Sequence, residues 1–130
     1  MPVNWGASIL KYSGTSVDSK VHKGWIGVDL DGTLAHWDKS RGPGHVGEPI
    51  KPMVDRVKKM MADGKDVRIF TARPPHPAIR KWCRDNLGKV LEITNKKDRY
   101  MQCLYDDRVV SVKRNEGVPF SEDSIKQTEE

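Results

Sequence analysis

Residues Lys23 to Leu34, KGWIGVDLDGTL, carry the most informative pattern of this chain. Apolar residues dominate the first half of the stretch, as in a buried strand, and two carboxylates, a glycine and a threonine follow directly. Asp29 and Asp31 lie two residues apart, so on an extended backbone both side chains leave the same face. Because two carboxylates this close repel each other, the site favours either a shared proton or a bound cation. Taken alone, the Asp-Gly dipeptide equally suits a hairpin turn.

The composition predicts a single folded domain with a basic surface. The chain has 130 residues, of which 36% are hydrophobic and 32% are charged. This length is typical of one domain with its own core. The net charge is +5 and the last ten residues, SEDSIKQTEE, carry −3, which leaves +8 on the remainder. A positive balance favours anionic ligands such as phosphate esters or nucleic acid, although a solvated basic surface has the same composition.

The cysteines and the hydropathy predict a cytoplasmic protein. Cys83 and Cys103 are the two cysteines of the chain, and no CxxC spacing occurs. This argues against a disulfide framework or a zinc site and fits a reducing compartment. No apolar run approaches the roughly 20 residues of a membrane span, and the first twelve residues do not resemble a signal peptide. We therefore expect no membrane partner.

The remaining pattern predicts alternating strands and helices. Strand, helix and strand in close succession imply right-handed crossovers onto a mainly parallel sheet, and hence a three-layer Rossmann-like α/β fold. The predicted strands after the first lie at 65–71, 90–93 and 104–105, with a candidate fifth at 109–112, and the predicted helices lie at 52–63 and around 79–87. Irregular segments are predicted at 1–22, with a short strand at 8–12, at the flap 35–50, and at a mobile acidic tail, 121–130.

Polar side chains follow each predicted strand where it ends. Thr71, Ala72 and Arg73 lie at the carboxyl end of the second strand. A lysine pair follows the third strand and an acid pair follows the fourth. Open parallel sheets bind their ligands at the carboxyl ends of the strands, so these groups are expected at one edge. Arg73 has the fork geometry to bind a second anionic group of a substrate, although a surface arginine fits the sequence equally well.

The order DLDGT, threonine, lysine pair and acid pair resembles the four motifs of the haloacid dehalogenase (HAD) superfamily of phosphotransferases. The resemblance spans about residues 24–112, and the strings FTAR, ITNKKD and YDDR are similar to small phosphatase-like members from bacterial and phage genomes. It implies a HAD-like catalytic domain over 23–120. No long insertion follows the first or second motif, so the resemblance implies a minimal core without a cap domain and an open site, and leaves open whether an oligomer covers it.

The resemblance also implies the site residues. Asp29 would be the nucleophile that forms an aspartyl-phosphate, and Asp31 the general acid and base. Thr71 would bind a phosphoryl oxygen and Lys97 would neutralise charge, with Lys96 the competitor for that role. The implied metal ligands for Mg²⁺ are Asp29, the backbone carbonyl of Asp31, Asp106 and Asp107. The implied substrate-binding residues are Thr71, Ala72, Arg73 and Lys96.

These roles predict a magnesium-dependent phosphomonoesterase. Its substrate would be a phosphorylated small molecule or nucleotide, or a nucleic-acid end. The alternative is a phosphate or nucleic-acid binding module that keeps the fold and uses the acids only to hold an ion. A third hypothesis is the phosphatase half of an end-processing system, whose kinase half lies elsewhere because the chain contains no GxxxxGK[ST] string.

Overall fold

The fold is an alternation of strands and helices, as the sequence predicts. The structure, a computed structural model, describes residues 23–39 and 41–121. The elements in chain order are β1 (Trp25–Asp29), α1 (Lys51–Ala62), β2 (Asp66–Phe70), α2 (Pro77–Leu87), β3 (Ile93–Thr94) and β4 (Met101–Tyr105). The predicted arm 1–22, with its strand at 8–12, and the tail from residue 122 lie outside the described residues.

The four strands form one parallel sheet with the order β3-β2-β1-β4. The predicted α/β Rossmann-like fold is therefore confirmed. Strand β1 lies between β2 and β4, and its register pairs Asp29 with Phe70 and Val28 with Tyr105. The carboxyl ends of these three strands are consequently level. Residues that directly follow β2 and β4 flank the end of β1.

Both helices pack against the same face of the sheet. Alternate apolar residues of β1 and β2 belong to one buried cluster with Val54 and Val57 of α1 and with the buried face of α2. The two helices also contact each other. Two successive right-handed crossovers in the same direction place their helices in one layer. Within 23–39 and 41–121, no helix covers the opposite face, so the third layer is not formed by this part of the chain.

The opposite face of the sheet is covered partly by side chains of the strands themselves. Trp25 points there and is 1% exposed. The Arg68 guanidinium lies 4.6 Å from the centre of the Trp25 ring, and the Phe70 ring is stacked on Trp25 at 6.4 Å. Cation–π and aromatic contacts of this kind stabilise a folded protein by about 0.5–1.5 kcal/mol each.

The helix ends follow the local sequence. Helix α1 has a proline in its first turn, and Gly64, with φ +82°, follows its last turn. At the start of α2, His76 Nδ1 accepts a hydrogen bond from the Ala78 amide at 3.0 Å. Gly88 ends α2 in the left-handed conformation. Both predicted helices are confirmed, with boundaries that differ by a residue or so.

The predicted third strand is displaced and short. The sequence predicts it at 90–93, whereas the structure places it at Ile93–Thr94. Leu91 is buried in the core cluster together with residues of α2. The segment before β3 therefore packs in the core and does not form a strand. The backbone next to β3 is bonded to the β2 segment by the Ile69 amide, which donates to the Glu92 carbonyl, and by the Thr71 amide, which donates to the Thr94 carbonyl.

The predicted fifth strand at 109–112 does not join the sheet. Its residues instead pair locally with the segment 118–120, through an antiparallel bridge between Val112 and Pro119. The Phe120 amide donates to the Ser111 carbonyl at 2.9 Å. This local pairing satisfies the backbone groups of the segment. The segment is therefore extended, as its sequence pattern predicts, but it pairs with 118–120 and not with β4.

Neither helix of the described residues has the length and apolar character of a membrane span.

Candidate active site

Three carboxylates meet at the carboxyl edge of the sheet. Asp29 is the last residue of β1, and Asp106 and Asp107 directly follow the neighbouring strand β4. One oxygen of each lies within 4.8 Å of an oxygen of the other two. The parallel register of β1 and β4 causes this convergence. The structure therefore brings together Asp29 and the acid pair at one edge of the sheet, as the sequence predicted, and the nucleophile role of Asp29 stays a prediction.

The crowding of these acids changes the protonation of Asp29. Burial, the nearby charge of Asp106 and a hydrogen bond with Asp107 raise the pKa of Asp29 to about 8. Near pH 7, without a cation, Asp29 is consequently protonated. Hard oxygen ligands of this kind are those that Mg²⁺ prefers, and a divalent cation would offset the repulsion. The donor set thus fits the predicted magnesium ion.

The turn after β1 holds Asp107 in place. The Leu30 carbonyl accepts hydrogen bonds from the amides of Leu34 and Ala35, both at 2.9 Å. This tight turn requires a positive φ of 88° at Gly32. Thr33 Oγ1 donates to Asp107 Oδ1 at 3.1 Å. The glycine and threonine of the first motif therefore position an acid of the last motif.

Asp31 lies outside the carboxylate cluster. The sequence predicted that Asp29 and Asp31 leave the same side of an extended strand, but the strand ends at Asp29 and the turn begins at Leu30. The Asp31 carboxylate instead accepts two hydrogen bonds from Arg73. Its side chain is therefore not part of the carboxylate cluster, and the role of its backbone carbonyl as a metal ligand stays a prediction.

Thr71 is placed as the sequence predicted, at the end of β2 beside β1. Its side chain is buried, with 4% of the residue exposed. Thr71 Oγ1 accepts a hydrogen bond from the Arg73 amide at 3.1 Å, which leaves the hydroxyl proton available to a substrate oxygen. Ala72 follows and is exposed.

The two candidate lysines follow β3, and both are exposed. The Thr94 hydroxyl binds the backbone of Lys96, which fixes the start of this loop. Within the described part of the chain, neither Lys96 nor Lys97 forms an ion pair. The structure does not bring either ammonium group to the acid cluster, so the assignment of Lys97 and the competing assignment of Lys96 both stay predictions.

Sequence reasoning missed the role of Asp98. Asp98 Oδ1 accepts hydrogen bonds from the buried Trp25 indole and from the Tyr100 amide, both at 2.8 Å. These bonds attach the lysine-bearing loop to β1. The available sequence signal is an aspartate two residues before Tyr100, a spacing typical of a side-chain turn. The tryptophan partner lies 73 residues away and gives no local signal.

The predicted flap 35–50 is closed at its base and anchored at two further points. Ala35 and Pro49 form an antiparallel bridge. The Trp82 indole of α2 donates to the Gly47 carbonyl at 2.8 Å. Arg73 Nη1 donates to the Pro43 carbonyl at 3.0 Å. The flap is thus tied to α2 and to the end of β2.

A cleft of about 440 Å³ opens beside the acid pair. It combines an apolar wall with the turn after β1 and the acid pair, and its lining residues are Gly32, Thr33, Met53, Leu104, Tyr105, Asp106 and Asp107. The cleft is open to solvent, so a group bound at the acid pair is accessible from outside.

A solved structure of a conserved protein from Bacteroides thetaiotaomicron is similar to this chain. The two share 24% sequence identity with a TM-score of 0.50, over 82% of this chain and 87% of that protein. A likeness at this level shows the fold alone. Neither a protein-family profile nor a curated protein sequence matches the chain.

Magnesium binding should release a proton near pH 7. Because the pKa of Asp29 is about 8, a bound cation must displace the proton that Asp29 otherwise holds. We expect release of nearly one proton per ion at about pH 7 and almost none at about pH 9.5. Calorimetry in buffers with different ionisation enthalpies measures this number. Proton release that is the same at both pH values would contradict the assignment of Asp29 as a ligand.

Proposed function

We propose that this protein is a magnesium-dependent phosphomonoester hydrolase of the HAD superfamily. The observation that carries the proposal is the convergence of Asp29, Asp106 and Asp107 within 4.8 Å at the carboxyl edge of a parallel sheet. A buried threonine hydroxyl follows the adjacent strand. Fold and resemblance agree with this assignment but do not identify the substrate.

The proposed reaction proceeds in two displacements. An Asp29 oxygen attacks phosphorus, the bond to the leaving oxygen breaks, and Asp31 donates the proton that the leaving oxygen takes up. Water then attacks the phosphorus of the aspartyl-phosphate and gives a proton to Asp31, while the bond between phosphorus and the Asp29 oxygen breaks, which releases phosphate and restores the Asp29 carboxylate. Thr71 orients the phosphoryl group through its hydroxyl. Mg²⁺, held by Asp29, Asp106 and Asp107, would neutralise the charge of the phosphoryl oxygens when bound.

The first test is phosphate release from an aryl phosphate, mononucleotides, sugar phosphates and a 3′-phosphorylated oligonucleotide. We expect turnover that a chelator abolishes and added Mg²⁺ restores. Asp31→Asn should lower kcat/KM, which reports the first displacement and not the later attack of water, by about 10²-fold or more for substrates with a poor alkoxide leaving group, because these need a proton. The loss should be smaller for 4-nitrophenyl phosphate, whose leaving group departs without one.

The matched control for that variant is Asp85→Asn, which removes a negative charge from an exposed ion pair with Lys81 on α2. It should leave both rates unchanged. Equal loss on good and poor leaving groups in Asp31→Asn would contradict the acid role. Turnover that persists in the presence of the chelator would contradict the magnesium dependence.

The alternative function is a binding module that holds a cation and a phosphate without turnover. The contact that favours it is the ion pair between Asp31 and Arg73, because both oxygens of the proposed acid are engaged. Its signature is magnesium-dependent affinity for phosphate esters or nucleic acid with no phosphate release from any substrate. Activity on a 3′-phosphorylated oligonucleotide well above that on mononucleotides would instead favour a role in end processing.

A further inference from the structure

Arg73 makes three side-chain hydrogen bonds at the edge of the candidate site. Nε donates to Asp31 Oδ2 at 2.7 Å, and Nη2 donates to Asp31 Oδ1 at 2.8 Å. Nη1 donates to the flap carbonyl of Pro43 at 3.0 Å. The side chains of the ion pair are 18% and 19% exposed, so the pair is partly desolvated and accessible from solution. One guanidinium thus joins Asp31, the end of β2 and the flap.

This arrangement engages both carboxylate oxygens of Asp31 with Arg73. Both carboxylate oxygens accept N–H donors, and the planar guanidinium lies directly against them. Each oxygen keeps a second lone pair, but a leaving group can approach the side of the carboxylate that lies between its two oxygens only after Arg73 has moved. Two conditions follow for catalysis by Asp31. The Arg73 side chain must have room to move, and the substrate must offer Arg73 another partner in place of Asp31.

The surroundings of Arg73 allow its side chain to move while its backbone stays in place. The Arg73 amide is fixed by Thr71 Oγ1 at 3.1 Å. The flap tip at 41–44 is exposed, and the space around Gly42 is open to at least 4 Å from where a side chain would begin. The Arg73 side chain is itself 18% exposed, so the guanidinium has solvent on one side into which it can turn.

A two-oxygen anion is the partner that can replace Asp31. Phosphate presents the same pair of acceptor oxygens to a guanidinium fork as a carboxylate does, and it carries more negative charge. The phosphoryl group that reacts must lie at Asp29, where the acid cluster and Thr71 bind it. Arg73 follows β2, on the side of β1 away from the acid pair, and it reaches the flap at Pro43. This position assigns to Arg73 a second anionic group of the same substrate.

We propose that Arg73 exchanges Asp31 and Pro43 for a second anionic group of the substrate, so that the protein selects phosphomonoesters that carry a further phosphate. This inference rests on the proposed hydrolase function and assigns its substrate class. A nucleoside bisphosphate and a 3′-phosphorylated oligonucleotide, with its phosphodiester, share this chemistry. Arg73 is in this view a positioning residue that frees Asp31 only when the correct substrate is bound.

The test compares kcat/KM for a nucleoside 3′-monophosphate, a nucleoside 3′,5′-bisphosphate and a 3′-phosphorylated oligonucleotide. The native protein should prefer a substrate with a second phosphate by about tenfold or more. Arg73→Ala should remove this preference in two ways. Its kcat/KM should fall on the bisphosphate or the oligonucleotide, and it should rise about threefold on the monophosphate, because the Asp31 oxygens are no longer covered. The substrate with the higher kcat/KM, the bisphosphate or the oligonucleotide, shows whether the second phosphate is a terminal phosphate or a phosphodiester.

Two further variants separate this role from a structural one. Arg80→Ala removes an exposed positive charge from α2 and should leave the preference intact. Arg73→Lys keeps the charge without the fork and should restore part of the preference. A uniform loss on all substrates in Arg73→Ala, or a native protein without any preference, would overturn the exchange.

A binding measurement keeps the proposal testable if the native protein has no turnover. In that case the proposed hydrolase function fails, and the NMR signal of the Arg73 Nε–H group reports the exchange directly. The bisphosphate should shift this signal and the monophosphate should not, if Arg73 changes partners. An unchanged signal at saturating bisphosphate would overturn the exchange independently of activity.

Discussion

Asp29→Asn is expected to abolish phosphate release and, at the same time, to make the metal-free protein more stable at pH 8. The amide is not a nucleophile, so turnover should fall by at least about 10³-fold. The substitution also removes one of three clustered carboxylates, so the protein should bind Mg²⁺ more weakly. If the variant is inactive but more stable than the native protein, its inactivity results from the loss of the carboxylate and not from unfolding.

The stability change follows from the raised pKa of Asp29. Its value is about 8 in the folded protein and near the ordinary value of 3.8 in the unfolded chain, so the folded state binds the proton more tightly. The native protein without metal therefore loses stability as pH rises from about 4 to 8. The asparagine side chain of the variant does not ionise, and its amide can donate to Asp107. After allowance for solvent screening, we expect a gain of about 1–3 kcal/mol in the free energy of unfolding at pH 8.

Thermal unfolding at pH 5 and pH 8, with chelator and with Mg²⁺, measures this effect. The gain of the Asp29→Asn variant should be much larger at pH 8 than at pH 5 and should shrink or reverse when Mg²⁺ is present. The exposed control Asp85→Asn should change stability by no more than about 0.5 kcal/mol at either pH. Unchanged turnover in Asp29→Asn would refute the nucleophile assignment, whatever the stability result.

Gly32→Ala should destroy the acid cluster without changing any acid. A Cβ atom at this position would lie 2.6 Å from Asp107 Oδ2 and 2.9 Å from its Cγ. Asp107 would have to move away, although Thr33 and the turn after β1 hold it in its present position. We expect Mg²⁺ affinity and turnover to fall by about 100-fold or more. The positive φ of 88° adds about 1–2 kcal/mol of backbone strain.

Gly64→Ala is the matched control for this strain. Gly64 has φ +82°, and nothing lies within 4 Å of the position that its Cβ would take. The control should lose similar stability and keep full Mg²⁺ affinity and turnover. Calorimetric Mg²⁺ titration and thermal unfolding of both variants test the prediction. Equal functional loss in the two variants would show that backbone strain, and not contact with Asp107, is the cause.

Much of the site is predictable because its residues follow strands directly. An apolar run that stops at Asp29, and another that stops before Asp106, place acids at strand ends from the sequence alone. The resemblance to the HAD motifs adds the expectation that these ends meet. The structure supplies the reason for the meeting, since β4 lies beside β1 in register.

The less predictable features are those that depend on contacts between distant residues. The pair of Asp31 with Arg73 spans 42 positions, and the bond of Trp25 to Asp98 spans 73. Neither pair has a local pattern. The short β3 and the missing fifth strand have the same origin, because strand periodicity describes a segment and not the partner that it finds.

The alternation of the first four strands with the two helices, the ends of the helices and the acids that stand at the ends of β1 and β4 are readable in the amino-acid sequence. These are local properties, set by periodicity, by Gly64 and Gly88, and by the position of acids relative to apolar runs. Two contacts, in contrast, exist only in the folded chain: Asp107 lies against Gly32, and Asp31 is bound to Arg73. The physical reason is that hydrogen bonds and charge crowding depend on distance in space, which the packing of β1 between β2 and β4 sets.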